Sequence, residues 1–274
     1  MSIFVEKVAP MAVSDLVANE IPYLRRYARI LTGSQQLGDG LVRELLEAAL
    51  IDSDLRADLS RSRVGLFTAF SRIANSLEST LAAGGGSRNL EQATVANRLE
   101  QANPVARQAL LLEAIENFSH AEIAEILDLD EDEVAGLINE AAEAVEEGGR
   151  TEVLIIEDEP LIAFQLEEII KEMGNRVAGV ATTHEEAVKL FQARKPGIVL
   201  ADIQLADGSS GIDAVNEILN GANVPVIFIT AFPERLLTGE RPEPTYLITK
   251  PFSDDFVRAT VGQVMFFGST AYLV

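Results

Sequence analysis

Val153-Leu154-Ile155-Ile156-Glu157-Asp158-Glu159-Pro160 is the stretch on which the reading of this chain turns. A short apolar run, rich in β-branched side chains, ends abruptly in three acids and a proline. Such a run suits a strand buried on both faces, and proline suits the first position of a helix that follows. The same grammar recurs downstream. Strand-like runs are read at Val153–Glu157, Arg176–Ala181, Ile198–Asp202, Val226–Thr230 and Tyr246–Thr249. Helical stretches follow at Leu161–Met173, Glu185–Arg194, Ile212–Leu219 and Asp254–Phe267, with a Pro- and Gly-broken segment running to Pro244. Five strands joined by crossovers predict a parallel sheet with helices on both faces.

Upstream the texture differs. Apolar residues recur at spacings of three and four in Glu20–Leu31, Leu41–Leu50, Ser62–Leu77, Pro104–Ile115, Ser119–Leu127 and Asp130–Val145. Ser119 and Glu122 stand at capping-box spacing. Gly84-Gly85-Gly86 lies in a linker, followed by a polar stretch to Asn103 with room for one more helix. Gly148-Gly149 marks the change of texture, so the expected units are residues 1–147 and 151–268, two domains in 274 residues.

Composition removes several classes of function. Apolar residues make up 47% and charged residues 24%, which is ordinary for a globular protein. The net charge is −21, from 43 acids and 22 bases, which opposes non-specific attraction to nucleic acid or anionic membrane. There is no cysteine and only His120 and His184, so thiol chemistry and multi-histidine metal sites are excluded. No basic-then-apolar leader is read, and runs such as Val224–Phe232 are too short to span a bilayer. A cytoplasmic location is expected.

In an open α/β sheet, ligands sit outside the carboxyl ends of the strands. The polar residues there are Glu157, Asp158 and Glu159, then Asp202, then Thr230, then Lys250 before Pro251. Taken singly, each has an ordinary structural use as a cap, turn or strand residue. Together they are chemically specific. Clustered carboxylates need a cation or a proton between them, and hard oxygen donors suit Mg²⁺. A lysine and a hydroxyl suit phosphoryl oxygens, with Asp202 as nucleophile.

These stretches resemble the receiver domain of two-component response regulators over about residues 151–268. The resemblance rests on Val153–Pro160, Ile198-Val199-Leu200-Ala201-Asp202-Ile203-Gln204-Leu205, Pro225–Ala231 and Lys250-Pro251-Phe252. It implies a flavodoxin-like fold with strand order 2-1-3-4-5. It also implies Glu157 and Asp158 as the metal pair, Asp202 as phosphoacceptor, and a backbone carbonyl from Gln204 on Mg²⁺. Thr230 and Lys250 would be the switch residues. Receivers usually carry an aromatic three residues before the lysine, where this chain has Leu247. Tyr246 is one residue off and should face the other side of the sheet. Phe228 and Phe232 are the candidates to substitute, within Phe228-Ile229-Thr230-Ala231-Phe232-Pro233, which resembles a variant motif of stress-response receivers.

Residues 104–147 resemble region 4 of extracytoplasmic-function sigma factors, with Phe118–Leu127 and Val134–Val145 as the helix-turn-helix. Residues of about 10–80 resemble region 2, clearest in Tyr27-Ala28-Arg29-Ile30-Leu31-Thr32-Gly33 and Phe67–Asn75, with the linker at about 82–103. Yet from Glu116 through Glu147 there are 12 acids and no Lys or Arg. The recognition position shows Asn139, Glu140, Glu143, Glu146 and Glu147, which would repel phosphate.

Sigma-like first, receiver second, the chain resembles the PhyR family of general stress regulators. That resemblance implies capture of a small NepR-like anti-sigma factor after phosphorylation by a sensor histidine kinase or phosphotransfer protein, and release of the true sigma factor. Direct DNA binding is not expected. Two rival readings stay open here: a DNA-binding response regulator or receiver-gated sigma factor, and a metal-dependent phosphohydrolase.

Overall fold

A computed structural model describes residues 13–83, 103–147, 150–205, 208–233 and 244–267. The first half contributes α1 (Val13–Thr32), α2 (Gln35–Ile51), α3 (Ser53–Arg61), α4 (Arg63–Ala83), α5 (Pro104–Ala114), α6 (His120–Leu127) and α7 (Glu131–Glu147). The second half alternates β1 (Glu152–Ile156), α8 (Pro160–Glu172), β2 (Arg176–Ala181), α9 (His184–Arg194), β3 (Ile198–Ala201) and α10 (Gly211–Gly221). It ends with β4 (Val226–Thr230), β5 (Tyr246–Thr249) and α11 (Asp254–Phe267). The two glycine clusters, the stretch before Asn103 and the Pro-rich segment before Pro244 lie outside the described residues.

The helical half departs from expectation at its start. The first helix begins at Val13 rather than Glu20, which places Pro22 inside it instead of in the first turn. The second begins at Gln35, before the expected Leu41, because the Ser34 hydroxyl accepts from the Leu37 amide and supplies the cap. Helix α3 was not expected at all. Its cap is Asp52, whose carboxylate accepts from the amides of Asp54 and Leu55 at 2.9 and 3.1 Å. Only Leu59 of that helix is buried, so no apolar stripe announces it. The capping box at Ser119 and Glu122 is formed at the start of α6. The core of this half is aromatic: Tyr27 packs edge-on to Phe67 and Phe70, and Phe67 to Phe118, with centroids 5.0–5.8 Å apart.

The five strands form one parallel sheet in the order β2-β1-β3-β4-β5. Alternation sorts their side chains between two faces. Leu154, Ile156, Val199, Ala201, Phe228 and Leu247 pack toward α9 and α10. Val153, Ile155, Leu200, Ile227, Tyr246 and Ile248 share the other cluster with Leu166 and Ile170 of α8 and Val257, Val261 and Val264 of α11. That second cluster is continuous with the core of the helical half, including Leu24, Phe67 and Leu112. The join is made by α11, which packs on α1, α5 and α7, and by β5, which packs on α1.

Candidate functional site

The sheet's hydrogen-bond ladder runs past the strand ends and so fixes the polar residues beyond them. The Glu157 amide donates to the Ala181 carbonyl at 2.9 Å, Asp202 to Ile156 at 2.8 Å, and Lys250 to Thr230 at 2.8 Å. Glu157 and Thr230 are buried to about 1% exposure or less, and Asp202 is buried beside them. Gly211 lets the chain close over this edge: a Cβ there would stand 1.7 Å from the Asp202 carbonyl oxygen. Above lies a cleft of about 390 Å³ lined by Asp158, Glu159, Asp202, Gln204, Phe232 and Lys250, among others.

Lys250 is the hub of the cleft. Its Nζ lies 2.7 Å from Asp202 Oδ2, 2.8 Å from Glu157 Oε2 and 3.1 Å from Glu159 Oε1. Burial works against the ammonium, but the bonds to Asp202 and Glu157 overcome it and hold its pKa well above the ordinary 10.5. Burial pushes the Glu157 carboxyl up, against the pull of Lys250. The other oxygen of Asp202, Oδ1, accepts from the Gln204 amide at 3.2 Å. Phe232 donates its amide to Thr230 Oγ1 at 3.0 Å.

The cluster suits a hard divalent cation. Glu157, Asp158 and Asp202 each offer an oxygen, all within 4.8 Å of one another. Glu157 Oε2 is buried, and its cationic neighbour among the described residues is the Lys250 ammonium at 2.8 Å, which Asp202 and Glu159 share. One ammonium among three carboxylates leaves excess negative charge that a coordinated Mg²⁺ would neutralise.

The three aromatic candidates separate. Phe232 is 45% exposed and lines the cleft. Phe228 is fully buried on the face shared with Leu247. Tyr246 is fully buried on the opposite face, in the cluster that joins the halves. Neither Phe228 nor Tyr246 lines the cleft as described. Sequence reading gave Glu159 no role beyond a possible helix cap, although its place after the acid pair was a usable signal.

It also passed over two charged clusters of the helical half. Arg29 is 1% exposed, grips Asp39 with two bonds of 2.8 Å, and donates from Nη1 to the Pro244 carbonyl at 3.2 Å. Gly38 permits this approach, since a Cβ there would meet the Arg29 amide nitrogen at 2.6 Å. Glu116, expected among the acids of a phosphate-repelling surface, is instead buried between Arg26 and Arg63. On α7, Glu131, Asp132, Glu140 and Glu143 are exposed.

A parallel sheet of this order, with acids after β1 and β3, a hydroxyl ending β4 and a lysine after β5, defines a response-regulator receiver. Family models agree: the receiver domain of response regulators matches residues 153–261, the sigma2 domain of PhyR 17–71, and the sigma-like domain of response regulator PhyR 99–147. The chain is 48% identical over 263 residues to the phyllosphere-induced regulator PhyR of Methylorubrum extorquens, spanning 95% of this chain and 97% of that one. It belongs to the PhyR family.

Crystal structures agree in shape. PhyR from Brucella abortus superposes with a TM-score of 0.78 at 45% identity, over 94% of this chain and 95% of the other. The anti-anti-sigma factor PhyR from Bartonella quintana gives 0.78 at 46% identity, over 93% and 96%. No helix among the described residues is long and apolar enough to cross a membrane.

Proposed function

We propose that this chain is a cytoplasmic phosphorylation switch that captures an anti-sigma factor through sigma mimicry. Residues 151–268 act as the receiver and 1–147 as the sigma-like module. One Asp202 carboxylate oxygen attacks the phosphorus of a kinase phosphohistidine. The new O–P bond forms as the P–N bond breaks, and the imidazole leaves. Mg²⁺ held by Glu157, Asp158, Asp202 and the Gln204 carbonyl would neutralise charge on the transferring group. Lys250 and the Thr230 hydroxyl then bind phosphoryl oxygens, which withdraws Lys250 from Glu157 and Glu159.

The observation that carries the mimicry reading is the charge of the helix-turn-helix. It keeps a sigma-like shape with 11 acids and no Lys or Arg from Asn117 to Glu147, the buried Glu116 set aside. Repulsion from DNA phosphate leaves protein as the ligand of that surface. The Bartonella quintana neighbour, named an anti-anti-sigma factor, supports the same partner class, for which a NepR-like protein is the candidate. In the unphosphorylated chain the receiver's α11 and β5 cover the α1, α5 and α7 surface, so capture is held back until Asp202 is modified. The test is titration of the organism's anti-sigma factor against the full chain, with and without acetyl phosphate and Mg²⁺. Binding should tighten roughly 5- to 150-fold, the usual range of coupling between sites. Equal affinity in both states would overturn the switch.

A further inference from the structure

Beside Thr249 and Pro251, the two halves line a second pocket of about 260 Å³, open to solvent. The helical half lines it with Tyr23, Arg26, Arg63 and Glu116; the receiver closes it with Phe252 and Phe256. Phe256 is seated on the Arg26 guanidinium, whose centre is 5.2 Å from that ring and 5.3 Å from the ring of Tyr23. Arg26 Nη2 is spent on Glu116 Oε1 at 2.8 Å and the Ile115 carbonyl at 3.3 Å. Its Nε is buried and has no acceptor among the described residues, with the side chain only 7% exposed.

This is a poorly finished contact. Buried donors are nearly always paired, and this one is not. The contrast with the neighbouring arginine is direct. Arg63 stacks on Phe67 and Phe118 of its own half and bonds to Glu20 and Glu116. Arg26, by contrast, keeps an unpaired Nε and takes a receiver ring, Phe256, on its guanidinium.

We infer that the Arg26 seat is a docking site for an aromatic side chain of the captured partner, flanked there by a carbonyl or carboxylate that accepts from Arg26 Nε. In the closed chain Phe256 holds the place as an incomplete substitute. This rests on the anti-sigma reading and adds the chemistry by which the partner is recognised. A partner segment that fills the cavity and pairs Nε displaces a ring that does neither.

The inference separates from a merely autoinhibitory contact by the sign of two substitutions in the full chain. Phe256→Ala frees the seat and should raise the affinity of the unphosphorylated chain for the organism's anti-sigma factor about tenfold, a hot-spot-sized effect. Arg26→Lys keeps the charge beside Glu116 but loses the planar face, and should weaken binding about tenfold in the presence of acetyl phosphate and Mg²⁺. Tyr23, 47% exposed, offers a milder second variant: Tyr23→Leu should weaken binding in the same direction with unchanged thermal unfolding. Replacing the partner's aromatic residues one at a time by alanine should find one whose loss matters to the wild-type chain and much less to Arg26→Lys. If Arg26→Lys binds as well as wild type, or better, the seat serves only the closed chain and the inference is overturned. If the phosphorylated wild-type chain captures no anti-sigma factor, the mimicry reading falls first and the seat with it.

Discussion

The molecule carries two charge clusters, each built round a buried carboxylate, with opposite stoichiometry. In the receiver one base, Lys250, serves three acids, Glu157, Glu159 and Asp202. In the helical half two bases, Arg26 and Arg63, enclose one acid, Glu116. The first is short of positive charge, with one ammonium shared among three carboxylates. The second surrounds its carboxylate completely, with the Arg63 fork also reaching Glu20 and the Glu116 carbonyl. Acid excess suits the cation and the phosphoryl group proposed for that site. A closed pairing suits a joint, which holds α1, α4 and the turn after α5 in register.

Breaking the acid-rich cluster should have the largest effect. Asp202→Ala is expected to abolish the phosphate adduct that intact-mass measurement detects after acetyl phosphate and Mg²⁺. An adduct surviving in that variant would move the phosphoacceptor elsewhere. Breaking the closed cluster should instead cost stability. Glu116→Leu strands the buried Arg26 guanidinium, while the half-buried Arg63 keeps Glu20, and should lower the unfolding free energy by about 3–5 kcal/mol, read by urea titration. A loss below about 1 kcal/mol would mean that water reaches the pair.

Metal sharpens the comparison. Added Mg²⁺ should raise the thermal midpoint of the wild-type chain and do so less in Glu157→Gln, since a ligand bound only to the native state stabilises by mass action, about 2.7 kcal/mol at 100 times its dissociation constant. The same addition should leave the loss caused by Glu116→Leu unchanged.

The smallest effect is expected at Asp39. Burial raises its carboxyl, but Arg29 and Arg25 outweigh burial and hold its pKa below the ordinary 3.8. A depressed acid stabilises the native state above its unfolded-state pKa and loses that contribution as pH falls through the folded value. The stability gap between wild type and Asp39→Asn should therefore be flat near neutral pH, at about 1 kcal/mol, and should close below about pH 4. A gap that widens toward acid would reverse the sign assigned to the pair.

The two regions also differed in how far they could be read from sequence. The receiver's strands are short apolar runs with acids, hydroxyl or lysine at fixed ends, so Ile198–Ala201 and Val226–Thr230 announce themselves and the polar ends fall together by topology. The helical half is written in weaker signs. Helix α3 buries only Leu59 and depends on the Asp52 cap, which reads equally well as a turn. Arg26, Arg29 and Glu116 look like surface residues in a list and are buried only because partners distant in sequence meet them, with Arg26 and Glu116 separated by 90 positions. Periodicity reports which face is apolar. It carries no record of which charge will be enclosed by another element.

The continuous cluster linking Tyr246, Ile248 and Val261 with Leu24 and Phe67 bears on modular exchange. Receivers are commonly treated as interchangeable input units on a linker. Here the input unit contributes one wall of the output unit's interior. A chimera that grafts a foreign receiver onto residues 1–147 would inherit the chemistry at Asp202 and lose the wall. To remain gated, such a fusion must import the β5–α11 surface of this chain along with its own phosphoacceptor. Recombination between paralogues at the glycine pair would accordingly tend to yield ungated proteins, active without a signal.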